Sequence, residues 1–162
     1  MEENTIQYQG SISWKNFAKA QMIHIKSQWL RMMLFPAIFT PIIWFQQVSI
    51  LTKILATLLA LSFVPLMMAF QMIAAYWSYK HSPYLQKPIK GFVSDDLLRT
   101  ENGLGTSEME WKMFTKHKET DDCILLYSSP QGFNLLTKEF FASENDWNKA
   151  REIVGAKMQK RG

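Results

Sequence analysis

Cysteine is almost absent from this chain. Cys123 is the single cysteine among 162 residues, so no internal disulfide can form. A chain without disulfides suits a reducing compartment. Because Cys123 lies inside an apolar run, we expect a small core residue there and not a reactive thiol.

Catalytic and metal-binding patterns are also missing. No GxSxG, P-loop or dinucleotide fingerprint occurs in the sequence. The histidines stand far apart, so none has the partner three or four residues away that makes a helical metal pair. The acidic pairs lack the spacing of a calcium loop and are predicted to serve turns or caps. These residues are His24, His81 and His117, and Asp95, Asp96, Asp121 and Asp122. We therefore expect no catalytic residue, no metal and no cofactor, and a protein that is not an enzyme.

Charge is missing from two long segments. No residue is charged from Met32 to Thr52 or from Ile54 to Tyr79, and only Lys53 separates them. Both segments exceed the roughly 18 apolar residues that indicate a membrane-spanning helix. We interpret residues 29–79 as a transmembrane helical hairpin that turns at Gln46 to Ser49, its most polar point. The alternative is a soluble protein with two buried central helices, but so short a chain could not cover them.

The ends of the two spans carry the residue types of a membrane interface. The first span is predicted to begin near Trp29 to Met32 and to kink at Pro36 and Pro41, and the second runs from about Ile50 to Trp77 with Pro65 inside it. Interface positions are expected at Trp29, Trp44, Tyr76, Trp77 and Lys80. Basic residues precede the first span and follow the second, so both termini are predicted to be cytoplasmic, in a multi-pass protein of the inner membrane.

Residues 1–28 are predicted to form a short strand and an amphipathic helix. Thr5 to Gln9 alternates in polarity and ends at Gly10, as a strand does. Ser13 is a plausible N-cap for a helix, and its apolar stripe comprises Trp14, Phe17, Ala18, Met22, Ile25 and Trp29. Lysines lie off this stripe, a pattern that predicts a helix either on the membrane surface or packed on the protein's own soluble part.

Basic residues are concentrated beside the apolar block. Residues 53–90 contain four basic and no acidic residues, whereas residues 91–162 contain ten basic and twelve acidic ones. Anionic lipid headgroups would meet this excess, so we expect the lipid bilayer as a partner and no nucleic acid. Alanines in the spans leave room for a homo-oligomer: Ala56, Ala60, Ala69, Ala74 and Ala75.

Residues 91–162 are predicted to form a small antiparallel sheet covered by a C-terminal amphipathic helix, an α+β arrangement. Strands are expected at Phe92 to Arg99, His117 to Thr120, Cys123 to Tyr127 and Phe133 to Thr137. Turns are expected at Asn102-Gly103 and at Pro130 to Gly132. Ser143 with Asp146 forms a capping box for the last helix. The buried stripe of that helix is predicted to be Trp147, Ala150, Ile153, Val154 and Met158, and Lys157, Lys160 and Arg161 are expected to close it.

This order of parts resembles the YcxB-like family of bacterial membrane proteins, most clearly from about Ser94 to Ala156. The similar segments are Glu101-Asn-Gly103-Leu, Glu110-Trp111-Lys-Met-Phe114, Leu125-Leu-Tyr127, Phe133-Asn-Leu-Leu136 and Lys138-Glu-Phe140-Phe. The resemblance implies two membrane spans followed by a small cytoplasmic domain with a pleckstrin-homology-like fold. It implies no particular reaction.

Two functions remain open from the sequence. The first is a membrane-anchored, non-enzymatic protein whose small domain binds an unknown protein partner or a lipid. The second is a subunit of a homo-oligomeric channel or transporter-associated complex, although the spans contain no ionisable group at their midplane. Five aromatic residues could form either the core of the domain or an exposed docking patch: Trp111, Phe133, Phe140, Phe141 and Trp147. Core is the expectation, since large aromatics usually fill small cores.

Overall fold

The chain forms two compact units. A computed structural model describes residues 5–130 and 132–159, without the side chains of residues 27–33, 35, 36, 39 and 159. An α+β unit is formed by Met1–Asn16 and His81–Gly162, and a helical unit by Phe17–Lys80. The N-terminal strand thus belongs to the same unit as the C-terminal residues. The domains predicted from the sequence were residues 1–28, 29–79 and 91–162. The helical unit is an insertion in the chain of the α+β unit.

Two helices of equal length make up the helical unit. Helix α1 spans Trp14–Phe45 and α2 spans Ile50–His81, so the break between them falls at the segment predicted to turn. The residues of the expected amphipathic helix lead directly into those of the first span, within one continuous helix. The Oγ of Ser13 accepts a hydrogen bond from the amide of Asn16 at 3.2 Å, which confirms the predicted N-cap.

Contacts join these helices near both ends. The rings of Phe17 and Tyr79 lie 5.6 Å apart between centroids. At the other end, the indole of Trp44 donates a hydrogen bond to the hydroxyl of Thr57 at 3.1 Å. The ammonium of Lys53 donates to the carbonyl oxygen of Trp44 at 3.0 Å, which suits the negative end of a helix.

Helix α2 exposes most of its apolar surface. Among the described residues, it is the one helix long and apolar enough to cross a membrane. Its less exposed side recurs at helical spacing and includes Ala56, Ala60, Val64, Gln71 and Ala75. Ala69 and Ala74, which were grouped with these alanines from the sequence, lie on the exposed side.

A four-stranded antiparallel sheet opens the α+β unit. Its order is β1 (Ile6–Gly10), β2 (Ile89–Val93), β3 (Leu97–Asn102) and β4 (Gly105–Glu110). Strand β1 pairs with β2 along its whole length, although the helical unit separates them in sequence. The short helix α3 (Pro83–Gln86) lies in the predicted linker before β2.

The predicted strand from Phe92 to Arg99 is wrong, because a tight turn divides it. The hydroxyl of Ser94 accepts hydrogen bonds from the amides of Asp96 and Leu97, at 3.3 and 3.2 Å. Its own amide donates to the carbonyl oxygen of Leu97 at 3.0 Å. A side chain that bonds its local backbone in this way competes with strand pairing, and the chain reverses into β3.

A second, three-stranded sheet follows, so the single predicted sheet is in fact two. It comprises β5 (Lys116–Glu119), β6 (Cys123–Tyr127) and β7 (Phe133–Thr137) in that order. The predicted limits of β6 and β7 are confirmed. All five residues of the central strand β6 are buried, which explains its unbroken apolar run. Within the predicted turn between β6 and β7, Gln131 lies outside the described residues.

Helix α4 (Glu144–Gln159) packs on the core through the predicted stripe. Trp147, Ala150, Ile153, Val154 and Met158 are all buried. The capping box is confirmed, since the amide of Asp146 donates to the hydroxyl of Ser143 at 3.1 Å. The predicted closing charges Lys160 and Arg161 lie outside the described residues.

Candidate functional site

The five aromatic residues singled out from the sequence lie mainly in the core. Trp111, Phe140, Phe141 and Trp147 are buried, and Phe133 is half-buried. The indole of Trp111 donates to the carbonyl oxygen of Ser94 at 3.0 Å, and that of Trp147 to the carbonyl oxygen of Asp121 at 3.2 Å. Indoles held in this way are not available to a partner, so a docking surface has to be sought elsewhere.

The residues expected at membrane interfaces are exposed where they are described. Trp44 is 47% exposed, Tyr76 45% and Trp77 60%, and Lys80 is exposed as well. The side chain of Trp29 lies outside the described part of the chain.

The α+β unit carries a groove of about 680 Å³ beside strand β1. Its floor is the outer face of β1, β2 and β3, because residues paired across strands project to the same side of a sheet. One cross-strand row is Gln7, Phe92 and Arg99, and the next is Gln9, Lys90 and Glu101. The floor is therefore polar with one half-buried aromatic ring in it.

One wall of the groove is the 3-10 helix Lys138–Phe140 and the two residues after it. The ring of Phe140 lies directly against Gly10, where a Cβ atom would overlap it. Phe141 also contacts the ring of Tyr8, at 5.9 Å between centroids. At the rim, the carboxylate of Glu139 accepts a hydrogen bond from the amide group of Asn16 at 2.8 Å. These contacts cover the free edge of β1 and fix the wall to the floor.

Charges in the groove are paired across strands. The ammonium of Lys90 lies 3.1 Å from the carboxylate of Glu101, and the guanidinium of Arg99 lies 3.1 Å from that of Glu108. All four side chains are substantially exposed, so each pair contributes little to stability. The pairs instead leave the groove with little net charge and with polar groups that a ligand could meet.

Tyr8 lies beneath the floor and stiffens it. Its hydroxyl donates to the carbonyl oxygen of Arg99 at 2.9 Å and lies 2.6 Å from the hydroxyl of Thr100. Desolvation by burial raises the pKa of Tyr8 to about 12, although the hydrogen bond with Thr100 opposes this shift. The phenol is therefore neutral at any physiological pH and serves as a structural hydrogen-bond donor.

This arrangement can hold a ligand but has no evident chemistry. No activated nucleophile or acid–base pair is found among the described residues that line the groove. In the described part of the chain, no group of three His, Cys, Asp or Glu side chains could hold a metal ion. The groove is shallow and open, as surfaces for extended segments are.

The groove was not predicted from the sequence. Its floor residues come from segments far apart in the chain, Gln7 to Gln9 and Lys90 to Glu101. A usable signal existed, because Lys90 and Glu101 carry opposite charges on neighbouring strands. These opposite charges can be recognised as a pair only when the register of β2 against β3 is known. The sequence prediction joined these strands into one from Phe92 to Arg99, so it gave no such register.

Residues 93–154 match the family model described as YcxB-like protein. Over these residues the chain is similar to the YcxB-like family, and we call this part the YcxB-like domain. The match extends from the end of β2 through both sheets into α4, and confirms the resemblance drawn from the sequence motifs. Among curated proteins, none matches the chain.

The family motifs have structural places in the YcxB-like domain. Glu101 to Leu104 forms the end of β3 and the turn to β4, and Glu110 to Phe114 contains the 3-10 helix at Trp111–Met113. Of the motif Lys138 to Phe141, the last three residues line the wall of the groove. The groove floor also draws on β1 and the start of β2, which lie outside the matched residues.

Proposed function

We propose that this chain is a membrane-anchored, non-enzymatic protein that presents its YcxB-like domain on the cytoplasmic side to a protein or lipid partner. The helical unit is the anchor, as a two-span hairpin in the inner membrane with both termini cytoplasmic. The groove beside β1 is the binding surface of the domain.

The apolar surface of α2 is the observation that carries this proposal. Leu59, Leu66 and Phe70 are 73%, 68% and 64% exposed, in a helix with no acidic residue. Exposed to water, such a surface would be an aggregation hazard, whereas lipid covers it without cost. Helix α1, which contains Pro36 and Pro41, ends shortly before α2 begins in the chain. It is proposed as the other span of the hairpin.

Strand number and order support a pleckstrin-homology-like fold for the α+β unit. Four antiparallel strands are followed by three more and by one C-terminal helix that packs on the core. In this proposal the membrane hairpin occupies the connection between the first and second strands. Since β1 and β2 are paired, both spans leave the domain at neighbouring points.

Photo-crosslinking in native membranes tests the binding surface. A photoreactive residue at Gln7, which is exposed on the groove floor, should capture a discrete partner that co-purifies with the chain. The matched control places the same group at Lys149, which is exposed on α4. Identical products from both positions would contradict the groove as a specific surface.

Two further results would overturn the proposal. A hydrolytic activity abolished by one point substitution in the chain would show an enzyme. Ion flux through purified protein in liposomes would favour the channel subunit instead.

A further inference from the structure

Strand β4 ends the four-stranded sheet with an unpaired edge. Its six residues pair with β3 one to one, so no bulge interrupts the strand. Among the described residues, no backbone group outside β3 forms a hydrogen bond with the backbone of Gly105–Glu110. Successive residues of a strand direct their N–H and C=O groups to opposite sides. Every second residue of β4 therefore presents a donor and an acceptor outward.

The other edges of the two sheets are protected, and this one is not. The wall at residues 138–142 covers β1, β5 is four residues long and carries two lysines, and β7 is largely buried. Natural proteins protect sheet edges by such means, and also by proline or a bulge. Strand β4 contains no lysine and no proline, and nearly all of it is exposed. In the described part of the chain, it is therefore the longest edge that another strand can reach.

Two carboxylates mark one face of this edge. Glu108 and Glu110 are the charged residues of β4, and alternation places both on the side of the sheet that carries the groove floor. Their side chains contact Arg99 and Lys112 but remain 53% and 58% exposed. Ion pairs this exposed contribute little to stability, so a cation on an added strand can share the same carboxylates at little cost.

The same carboxylates disfavour pairing of β4 with a second copy of itself. Two antiparallel copies keep their sheet faces aligned when the pairing is centred on Ser107 or on Glu108. Glu108 then lies diagonal to the Glu108 of the other copy in the first register and directly opposite it in the second. Like charges in these positions repel. The edge therefore favours a strand of opposite charge over a second copy.

We propose that β4 binds an extended segment of a partner protein, which adds to the four-stranded sheet as a further strand and carries basic residues at alternate positions. The backbone of the segment bonds to the open edge, and its basic side chains face Glu108 and Glu110. Leu104, which is 58% exposed directly before β4, is available to an apolar residue at that end of the segment. This site lies at the opposite edge of the sheet from β1, so it does not depend on the role proposed for the groove.

Backbone methylation of a probe peptide separates strand addition from attraction of charge. The probe is a fluorescent peptide with valine at both ends and six central residues, the length of β4, that alternate lysine and threonine. It is added to the full chain in nanodiscs of uncharged lipid. Methyl groups on alternate backbone nitrogens remove the donors along one edge of the peptide, and two peptides are made, one for each edge. One should bind as the parent does, and the other should bind at least about tenfold more weakly.

Charge and location are tested on the same complex. Glu108→Gln/Glu110→Gln should weaken binding of the parent peptide about two- to fivefold for each carboxylate at low ionic strength. The matched control Glu144→Gln/Glu152→Gln, at exposed positions of α4, should leave binding unchanged. Amide hydrogen exchange should slow at Gly105–Glu110 when the peptide binds and stay unchanged at Ile6–Gly10.

Three results would overturn this proposal. The first is equal binding of the two methylated peptides, whether retained or lost. The second is a parent peptide that, at millimolar concentration, leaves exchange at Gly105–Glu110 unchanged or slows it at Ile6–Gly10 instead. The third is exchange at Gly105–Glu110 that slows as the concentration of the chain alone is raised in detergent, since a second copy would then occupy the edge.

Discussion

Gly91 shows how tightly single residues are fitted in the sheet. A Cβ atom added at this position would overlap the carbonyl oxygen of Arg99 and lie 2.8 Å from the hydroxyl of Tyr8. The close approach lets Tyr8 reach across β2 to the backbone of β3. Glycine is therefore required here for space and not for its backbone conformation.

Gly91→Ala should lower the stability of the α+β unit by about 1–3 kcal/mol, since backbone atoms would have to move. The matched control is Gly155→Ala in α4, where no atom of the described residues is found within 4 Å of the added one. That change should raise stability by about 0.5–1 kcal/mol, because alanine favours a helix over glycine. Thermal unfolding of the full chain in detergent measures both, and equal midpoints for the two variants would contradict this packing.

Tyr8 also predicts how stability depends on pH. Its folded pKa of about 12 lies above the ordinary value of 10.0, so the neutral phenol is favoured by folding. The stabilisation is fully present below pH 10 and is lost as pH rises towards 12, by about 3 kcal/mol in total. The free energy of unfolding is measured at pH 9 and at pH 11.5. The difference between the two values should be smaller in Tyr8→Phe than in the unaltered chain. An identical difference in both would show that Tyr8 does not carry the effect.

At the scale of elements, the turn between β2 and β3 depends on one buried side chain. Ser94 is 1% exposed, and its hydroxyl and backbone together hold Asp96, Leu97 and the indole of Trp111. Ser94→Ala should cost about 1–3 kcal/mol, because two partly buried backbone amides would lose their acceptor. The control Ser107→Ala, exposed on β4, should stay within about 0.5 kcal/mol. Chemical denaturation of the full chain would contradict this role if the two variants behaved alike.

The elements that could be predicted from sequence are those with an apolar pattern of their own. Strands β6 and β7 are largely buried runs, and the buried stripe of α4 repeats at helical spacing. Composition and periodicity therefore predicted these residues correctly. Strand β4 (Gly105–Glu110) could not be located, because nearly all of it is exposed and its residues therefore follow no apolar alternation. The change from amphipathic to apolar at Arg31 marks no break in α1, whose backbone is continuous there.

The groove was harder to predict than the elements that build it. Its floor residues face away from the core, where polarity varies freely, and they gather only when β1 pairs with β2. The buried aromatics attracted attention in the sequence because they are large, but size predicts burial more than binding.

At the scale of the whole molecule, the α+β unit depends on both ends of the chain. Ile6 and Tyr8 of β1 are 6% and 3% exposed, and β1 covers the edge of β2. Removal of residues 1–10 should therefore leave an unpaired strand and an open core, and the YcxB-like domain should aggregate. Limited proteolysis compares this truncation with the unaltered chain, and equal resistance of residues 81–159 would contradict the role of β1.

Anchoring of one domain by an inserted helical pair is the central claim for the molecule. The most direct measurement is labelling of single cysteines by a membrane-impermeant maleimide in sealed membrane vesicles, in a Cys123→Ala background. Gln47→Cys lies at the break between α1 and α2, and Leu104→Cys at the exposed turn between β3 and β4. Vesicles with the periplasmic face outward should label only Gln47→Cys, and vesicles with the cytoplasmic face outward only Leu104→Cys. Labelling of both positions from the same side would contradict the account.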